Sequence, residues 1–228
     1  RLVGAGLVPL LRGGLTGLEK ESLRLNGAGH IATTSHPKSL GSALTHPQIT
    51  TDYSEALIEL ITPAFDDAGK TLAALSDIHR FVFSQLEDEL LLASSMPIGI
   101  NGDESIPIAE YGPSNIGLMK HVYRRGLSWR YGRTMQAIAG LHYNYSFPEA
   151  LWPALLALES PERSLQEGID EAYFGVVRNV HRYGWILIYL FGNSPAVDAH
   201  FFTGRESLSN RFEPMDPETY CWPNATSL

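Results

Sequence analysis

Hydrophobic and polar residues alternate with a period of two in several segments of the chain, which is the pattern of a β-strand with one buried face. The first segment is followed by NGAG at residues 26–29, a turn-forming sequence that favours a hairpin. A later segment ends at Pro63 and also fits a helical period, but its Ile, Leu and Thr residues favour a strand. The strands predicted in this way cover residues 18–25, 30–34, 51–62 and 134–147.

Other segments carry apolar residues at helical spacing. The most regular covers residues 66–92, where Asp66 or Asp67 can cap the first turn. Helices are also predicted over residues 119–131, with basic residues along one side, and over residues 171–191. Loops are predicted over 97–113, which is rich in Gly and Pro, and over the polar segment 203–224.

The composition limits the class of protein. The chain has 228 residues, of which 44% are hydrophobic and 18% charged, so it should fold around a core. Its net charge of -8 argues against a nucleic-acid surface. The longest apolar run, residues 185–191, is too short to cross a bilayer. A single cysteine, Cys221, excludes an intrachain disulfide and fits a reducing compartment.

Acidic residues recur on the predicted strands. Glu19 and Glu21 are one residue apart, so they share a face of the first strand, and Asp52, Glu55 and Glu59 form a second cluster. Carboxylates together on a half-buried face need a cation or a shared proton. The pattern therefore predicts an oxygen-rich site for Mg²⁺. The alternative is that Glu19 and Glu21 simply face water, as such pairs often do.

The segment 134–147 adds a histidine to this picture. As a continuous strand it would place its small and polar residues, with His142 at the centre, on one face, and Tyr143, Tyr145 and Phe147 on the core face. His142 is then either a structural residue or a metal ligand, and the acidic strands nearby favour a ligand. The residues that share its face are Gln136, Ile138, Gly140, His142, Asn144 and Ser146.

Carboxylates, an imidazole and an arginine-bearing helix match the needs of one reaction class, the ATP-dependent joining of a carboxylate to an amine. Mg²⁺ holds the triphosphate in such reactions, and arginine stabilises the transferring phosphoryl group or holds a substrate carboxylate. The chain has no P-loop, and Gly4–Ala5–Gly6 is too incomplete for a dinucleotide fingerprint. A nucleotide site would therefore be built on a sheet, with metal ions.

Four long motifs resemble one family. GLEKESLRL (17–25), HPKSLGSALTHPQITTDYSEALIELITP (36–63), AEYGPSNIGLMKHVYRRGLSWRYGRTMQAIAGLHYNYSFP (109–148) and YFGVVRNVHRYGWILIYLFGNSPAV (173–197) resemble the glutamate–cysteine ligase family in its proteobacterial form. The resemblance implies an α+β, glutamine-synthetase-like fold, in which a curved, mostly antiparallel sheet carries helices on its outer face and is incomplete in this fragment. It also implies ligation of the L-glutamate side-chain carboxylate to the L-cysteine amine through a γ-glutamyl phosphate, the first step of glutathione synthesis, with ATP as co-substrate.

The same resemblance assigns roles to individual residues. Tyr123 and Arg124 match the family's Tyr-Arg pair at the substrate and phosphate site, where they would be catalytic. Mg²⁺, or Mn²⁺, would be bound by Glu19, Glu21, Asp52, Glu59 and His142. Tyr53, Leu127 and Gln136 would line the pocket for the cysteine side chain, and Ile138 and Asn144 would contact glutamate, so the substrate-binding set is Tyr53, Tyr123, Leu127, Gln136, Ile138 and Asn144.

Members of the family are longer than this chain, which predicts that residues 1–228 are a single catalytic-domain fragment, the N-terminal portion of a ligase, inactive alone. The intact enzyme is expected to be a cytoplasmic monomer that binds neither nucleic acid nor membrane. Two alternatives stay open: a γ-glutamyl ligase for another amine, because acceptor choice depends on a few pocket side chains, and a non-catalytic fragment with a binding role.

Overall fold

A mixed structure of strands and helices is built around one antiparallel sheet. The computed structural model describes residues 1–225 of the single domain predicted over 1–228, with the side chains of Glu206 and Leu208 left aside. Within that range the main sheet has five strands, β1 (Leu15–Leu25), β2 (Ile49–Thr51), β3 (Leu57–Ile61), β4 (Leu90–Leu91) and β5 (Leu141–Ser146). The central strand β1 pairs with β3 on one side and with β5 and β4 on the other, and β2 pairs with β3, all antiparallel.

Helices account for most of the remaining regular structure. They are α1 (Ala68–Gln85), α2 (Asn115–Tyr131), α3 (Arg133–Gln136), α4 (Leu151–Glu159), α5 (Leu165–Tyr183), α6 (Trp185–Phe191) and α7 (Glu206–Ser209). Three short strands, β6 (Ala196–Asp198), β7 (Glu213–Pro214) and β8 (Thr219–Cys221), form a second antiparallel sheet in the order β6-β8-β7. In the described part of the chain, no helix has the length and apolar character needed to cross a membrane.

Helix α1 covers one face of the main sheet. Leu75 and Val82 on α1 pack against Ile58 and Leu60 of β3, and all four are buried. Because residues of a strand alternate between faces, Glu59, between Ile58 and Leu60, projects from the face that α1 does not cover. A second core lies beyond the end of β1 and contains Leu23, Ile31, Tyr53, Ile106, Phe201 and Phe202.

The predicted helix over residues 66–92 is correct at its start and too long at its end. The Asp67 side chain accepts a hydrogen bond from the Lys70 N–H, as a helix cap does. The helix ends at Gln85, and β4 then runs beside the end of β1. Glu89, the residue before β4, forms a 2.6 Å ion pair with Arg24, which is completely buried. A contact across 65 residues therefore overrides the local helical pattern.

Two predicted strands are shorter or differently divided. Residues 51–62 form a hairpin rather than one strand, because β2 ends at Thr51 and β3 begins at Leu57. Asp52 and Glu55 consequently lie in the connecting turn. Residues 30–34 form no strand, and only Ile31 makes an isolated bridge to Leu25. The predicted first strand, 18–25, is correct and starts three residues earlier, at Leu15.

The predicted strand over residues 134–147 is wrong in its first half. Residues 133–136 form the helical turn α3, and the strand β5 begins only at Leu141. The Asp103 carboxylate accepts hydrogen bonds from the N–H groups of Arg133 and Thr134, which satisfies the open start of this turn. Gln136 and Ile138 therefore do not share a strand face with His142. The predicted core face is also exposed at Tyr143, with 63% of the residue accessible to solvent.

Two further segments differ from the sequence prediction. The helix over 171–191 starts earlier, at Leu165, and is divided at Gly184 into α5 and α6. Ser164 and Glu167 form a capping box at its start. The segment 203–224, predicted as loop, contains α7, β7 and β8. The predicted helix over 119–131 is correct but begins at Asn115, where the Ser114 side chain caps it.

Candidate functional site

The register of the main sheet places the predicted acids side by side. Glu21 on β1 is directly opposite Glu59 on β3, and Glu19 on β1 is directly opposite His142 on β5. Residues directly opposite in an antiparallel pair project from the same face. Glu19, Glu21, Glu59 and His142 thus form one group, named here the acidic face, on the side of the sheet away from α1.

Glu19 is held by two residues of β5. His142 Nδ1 lies 3.1 Å from Glu19 Oε2, and the Asn144 side-chain amide donates to Glu19 Oε1 at 2.9 Å. The hydrogen bond to Glu19 raises the pKa of His142, which favours the imidazolium form. The three side chains therefore belong to one hydrogen-bonded group at the edge of the acidic face.

Glu21 is the most enclosed carboxylate of the acidic face, with 8% of the residue exposed. The Gly140 main-chain N–H donates to Glu21 Oε2 at 2.7 Å. Burial nevertheless raises the pKa of Glu21, and Asp52 and Glu19 act in the same direction. Neither this hydrogen bond nor His142 offsets the cost of placing the charge among other carboxylates.

Glu59 shows the accumulation of negative charge most clearly. Burial, together with the charges of Asp52, Glu21 and Glu19, raises the pKa of Glu59 to about 7. Like charges that cannot separate favour the protonated form of one member. The raised pKa of Glu59 thus reflects the negative charge concentrated on the acidic face.

Asp52 lies in the hairpin turn, and its charge contributes to the raised pKa of Glu21 and of Glu59. It also contacts Arg124 of α2. Arg124 Nε donates to the Asp52 carbonyl oxygen at 2.6 Å, and Arg124 Nη2 lies 3.6 Å from Asp52 Oδ1. The guanidinium carbon also lies 4.8 Å from the centre of the Tyr111 ring. Tyr111 was not among the predicted site residues, because it lies in the loop before α2 and the spacing of a loop residue does not indicate such a contact.

The remaining predicted substrate residues divide into two groups. Leu127 and Ile138 pack against the second core, of which Tyr53 is part, and Tyr53 is 2% exposed with its hydroxyl near Ser128. Gln136 is half-buried on α3, away from the strand predicted for it. Tyr123 lies on α2 and is 64% exposed.

A cavity of about 320 Å³ adjoins the acidic face and is lined by Glu19, Asn144, Gly17 and Thr62 among others. As the side chains stand in residues 1–225, no three His, Cys, Asp or Glu groups converge closely enough to hold a metal ion. The structure therefore brings the predicted ligands to one face without closing them into a cage.

The fold is similar to that of two solved ligases. The crystal structure of the glutamate–cysteine ligase of Francisella tularensis in complex with AMP has a TM-score of 0.86 and 38% identity, over 95% of this chain and 42% of that one. A bifunctional glutathione synthetase from Pasteurella multocida has a TM-score of 0.77 and 34% identity, over 85% of this chain and 25% of that one. The predicted fold class, an α+β, glutamine-synthetase-like sheet with helices packed on it, is confirmed.

The sequence comparisons agree. Residues 2–228 match the family model described as glutamate-cysteine ligase. The glutamate–cysteine ligase of Pseudomonas putida strain W619 is 56% identical over 227 residues, which are 100% of this chain and 42% of that protein. That of Pseudomonas aeruginosa strain LESB58 is 54% identical over 228 residues, 100% of this chain and 43% of that protein. The chain belongs to the glutamate–cysteine ligase family, and it spans less than half the length of these relatives.

Proposed function

We propose that this chain supplies part of the active site of an ATP-dependent glutamate–cysteine ligase. In the proposed reaction an oxygen of the glutamate side-chain carboxylate attacks the γ-phosphorus of ATP, and ADP leaves. The cysteine amine then attacks the carbonyl carbon of the γ-glutamyl phosphate, and phosphate leaves as the amine loses a proton. The observation that carries the proposal is the acidic face itself, with Glu21 opposite Glu59 and Glu19 opposite His142.

The donor set of the acidic face fits a hard divalent cation. Glu19, Glu21, Asp52, Glu59 and His142 provide carboxylate oxygens and one imidazole, which suit Mg²⁺ or Mn²⁺. The pKa of Glu59, raised to about 7 by burial and by its acidic neighbours, indicates negative charge that a cation would relieve. When bound, Mg²⁺ would neutralise the phosphate charge of ATP. Because Mg²⁺ commonly combines one or two carboxylates with water and substrate phosphates, an incomplete protein cage is compatible with this role.

The protein's own residues would position the substrates. Arg124, already fixed at Nε by Asp52, would direct its Nη groups to the transferring phosphoryl group or to a substrate carboxylate. Asn144 lines the cavity beside Glu19, which supports a contact with glutamate. Tyr53, Leu127 and Gln136 would form the cysteine pocket. Ile138 would contact glutamate with Asn144, and Tyr123 would act beside Arg124 at the substrate and phosphate site.

The proposal also includes ATP as co-substrate, a longer intact enzyme, its location and its oligomeric state. The AMP bound to the Francisella tularensis relative supports ATP as co-substrate. The relatives are more than twice as long as the part that aligns, so residues 1–228 are proposed to be inactive alone, as one catalytic-domain fragment. The intact enzyme would be a cytoplasmic monomer.

Replacement of a single acid tests the proposal. In the intact protein, Glu21→Gln should lower the ligation rate at saturating Mg²⁺ at least about a hundredfold, since it removes one charged ligand of the metal that stabilises the transition state. The matched control is Glu87→Gln, because Glu87 is exposed just beyond α1. An unchanged ligation rate in Glu21→Gln would show that Glu21 is not a ligand of the metal.

A further inference from the structure

Tyr111 lies between α2 and the hairpin turn that contains Asp52, and it contacts both. Only 6% of the residue is exposed. Its hydroxyl group donates to the main-chain carbonyl oxygens of Thr51 and of Asp52, the second at 2.9 Å. The hydroxyl therefore fixes the main chain at the residue whose carboxylate enters the acidic face.

The ring of Tyr111 acts on the neighbouring cation. The guanidinium carbon of Arg124 lies 4.8 Å from the ring centre, and the Lys120 ammonium lies 4.9 Å from it. Cations at this distance from an aromatic ring are attracted by its quadrupole. Arg124 in turn donates through Nε to the same Asp52 carbonyl oxygen that the tyrosine hydroxyl contacts. One side chain thus holds both Asp52 and Arg124.

The main chain around Tyr111 has little freedom to adjust. A Cβ atom at Gly117 of α2 would lie 2.6 Å from the Tyr111 carbonyl oxygen, so the helix approaches this residue as closely as a glycine allows. On the other side the Ala109 N–H donates to the Tyr53 carbonyl oxygen at 2.9 Å. The adjacent Glu110 N–H donates to Glu55 Oε2 at 2.7 Å. The tyrosine is therefore anchored to α2 and to the hairpin turn at the same time.

We infer that Tyr111 is a positioning residue, which sets the direction of the Asp52 carboxylate on the acidic face through its hydroxyl and holds the Arg124 guanidinium beside it through its ring. The inference rests on the proposed function, in which Asp52 binds Mg²⁺ and Arg124 contacts a substrate anion. It predicts separate effects for the two parts of the side chain, since the hydroxyl supports Asp52 and the ring supports Arg124.

Two substitutions in the intact protein separate these effects. Tyr111→Phe removes the hydroxyl and keeps the ring, and it should raise the Mn²⁺ dissociation constant, measured by electron paramagnetic resonance, about tenfold. The KM for glutamate should stay within twofold. Tyr111→Leu also removes the ring, and it should raise both the Mn²⁺ dissociation constant and the KM for glutamate. The control is Tyr143→Phe, because Tyr143 is exposed on the opposite face of the sheet.

The Mn²⁺ measurement decides the inference. A merely structural tyrosine would lower the thermal midpoint of Tyr111→Phe and leave the Mn²⁺ dissociation constant of the folded protein within twofold of the unsubstituted value, which would overturn the inference. If Tyr111→Leu fails to fold, Tyr111→Phe alone decides. If the unsubstituted protein binds Mn²⁺ without joining glutamate to cysteine, the proposed function fails, while the ratio of Mn²⁺ constants still decides the role of Tyr111.

Discussion

Gly140 and Glu21 exchange two hydrogen bonds of different kinds. The Gly140 N–H donates to the Glu21 carboxylate at 2.7 Å, and the Glu21 main-chain N–H donates to the Gly140 carbonyl oxygen at 2.9 Å. The pairing of β1 with β5 therefore continues one residue beyond Leu141 and at that point orients a side chain as well. The glycine is the residue through which the start of β5 fixes the most buried carboxylate of the acidic face.

Adding a methyl group at Gly140 should disturb this arrangement. The Cβ atom of Gly140→Ala would lie 2.9 Å from His142 Nε2 and 3.4 Å from Glu21 Oε2, so the imidazole must move. We expect about tenfold weaker Mn²⁺ binding by the intact protein, as for other residues that orient metal ligands. The measurement is Mn²⁺ titration by electron paramagnetic resonance. Gly27→Ala is the control because nothing lies within 4 Å of its added Cβ, and equal weakening by both variants would contradict the prediction.

Glu59 should give the metal-free protein a characteristic dependence on pH. Its pKa is raised from 4.5 to about 7 in the folded state, so the folded protein holds a proton that the unfolded chain releases between these values. The contribution of Glu59 to the free energy of unfolding therefore falls as pH rises from about 4.5 to about 7. Glu21 and His142 have raised pKa values too and act in the same direction.

Urea unfolding in EDTA at pH 5 and pH 8 isolates this effect. His36 contributes in the opposite sense, because burial lowers its pKa to about 4, so a total pH profile alone is not decisive. We expect the Glu59→Gln variant to lose less stability than the unsubstituted protein between the two pH values, since glutamine cannot ionise. Parallel losses in both proteins would contradict the assigned pKa of Glu59.

The buried ion pair of Arg24 and Glu89 should be important for folding. Arg24 is completely buried, and beside Glu89 it contacts the Thr34 hydroxyl and the carbonyl oxygens of Thr34 and Glu55. Glu89→Ala leaves this guanidinium without a carboxylate and should lower the free energy of unfolding by about 3 kcal/mol. Urea unfolding at neutral pH measures the change, with the exposed Glu87→Ala as control. A loss below about 1 kcal/mol, typical of surface pairs, would contradict the prediction.

Local patterns predicted the features that depend on local chemistry. Glu19 and Glu21 share a face because strand residues alternate, and Asp67 caps α1 because its side chain reaches the first free N–H groups. The start of α5 was also available in the sequence, as the Ser164…Glu167 capping box, and it was overlooked.

Long-range contacts explain the errors. No local pattern shows that Asp103 will stabilise a helical turn at residues 133–136, about thirty positions away. The same holds for Glu89, whose ion pair with Arg24 accompanies the end of α1 and the pairing of β4 with β1. The shared face of Glu19, Glu21 and Glu59 was predictable because these acids lie on strands. The contacts of Tyr111 were not predictable, because they depend on how α2 packs against the hairpin turn.

The choice of acceptor amine is the last expectation to test. If Tyr53, Leu127 and Gln136 form a pocket for the cysteine side chain, the intact enzyme should use cysteine with a kcat/KM about 10- to 200-fold above that of alanine, which lacks the thiol. A third substrate, 2-aminobutyrate, should fall between them, because it has a methyl group of similar size. Polyamines should not react. Assays of ADP release with each amine give these ratios.

Leu127→Ala connects this preference to the pocket. Leu127 packs against the core that contains Tyr53, so its truncation should enlarge the pocket and reduce the ratio of cysteine to alanine kcat/KM. Leu118→Ala, on the exposed side of α2, should leave the ratio unchanged. A preference for a polyamine would instead identify a γ-glutamyl ligase for another amine. An unchanged ratio in Leu127→Ala would show that selection of cysteine lies with other residues, since a wall of the pocket cannot be removed without altering what the pocket accepts.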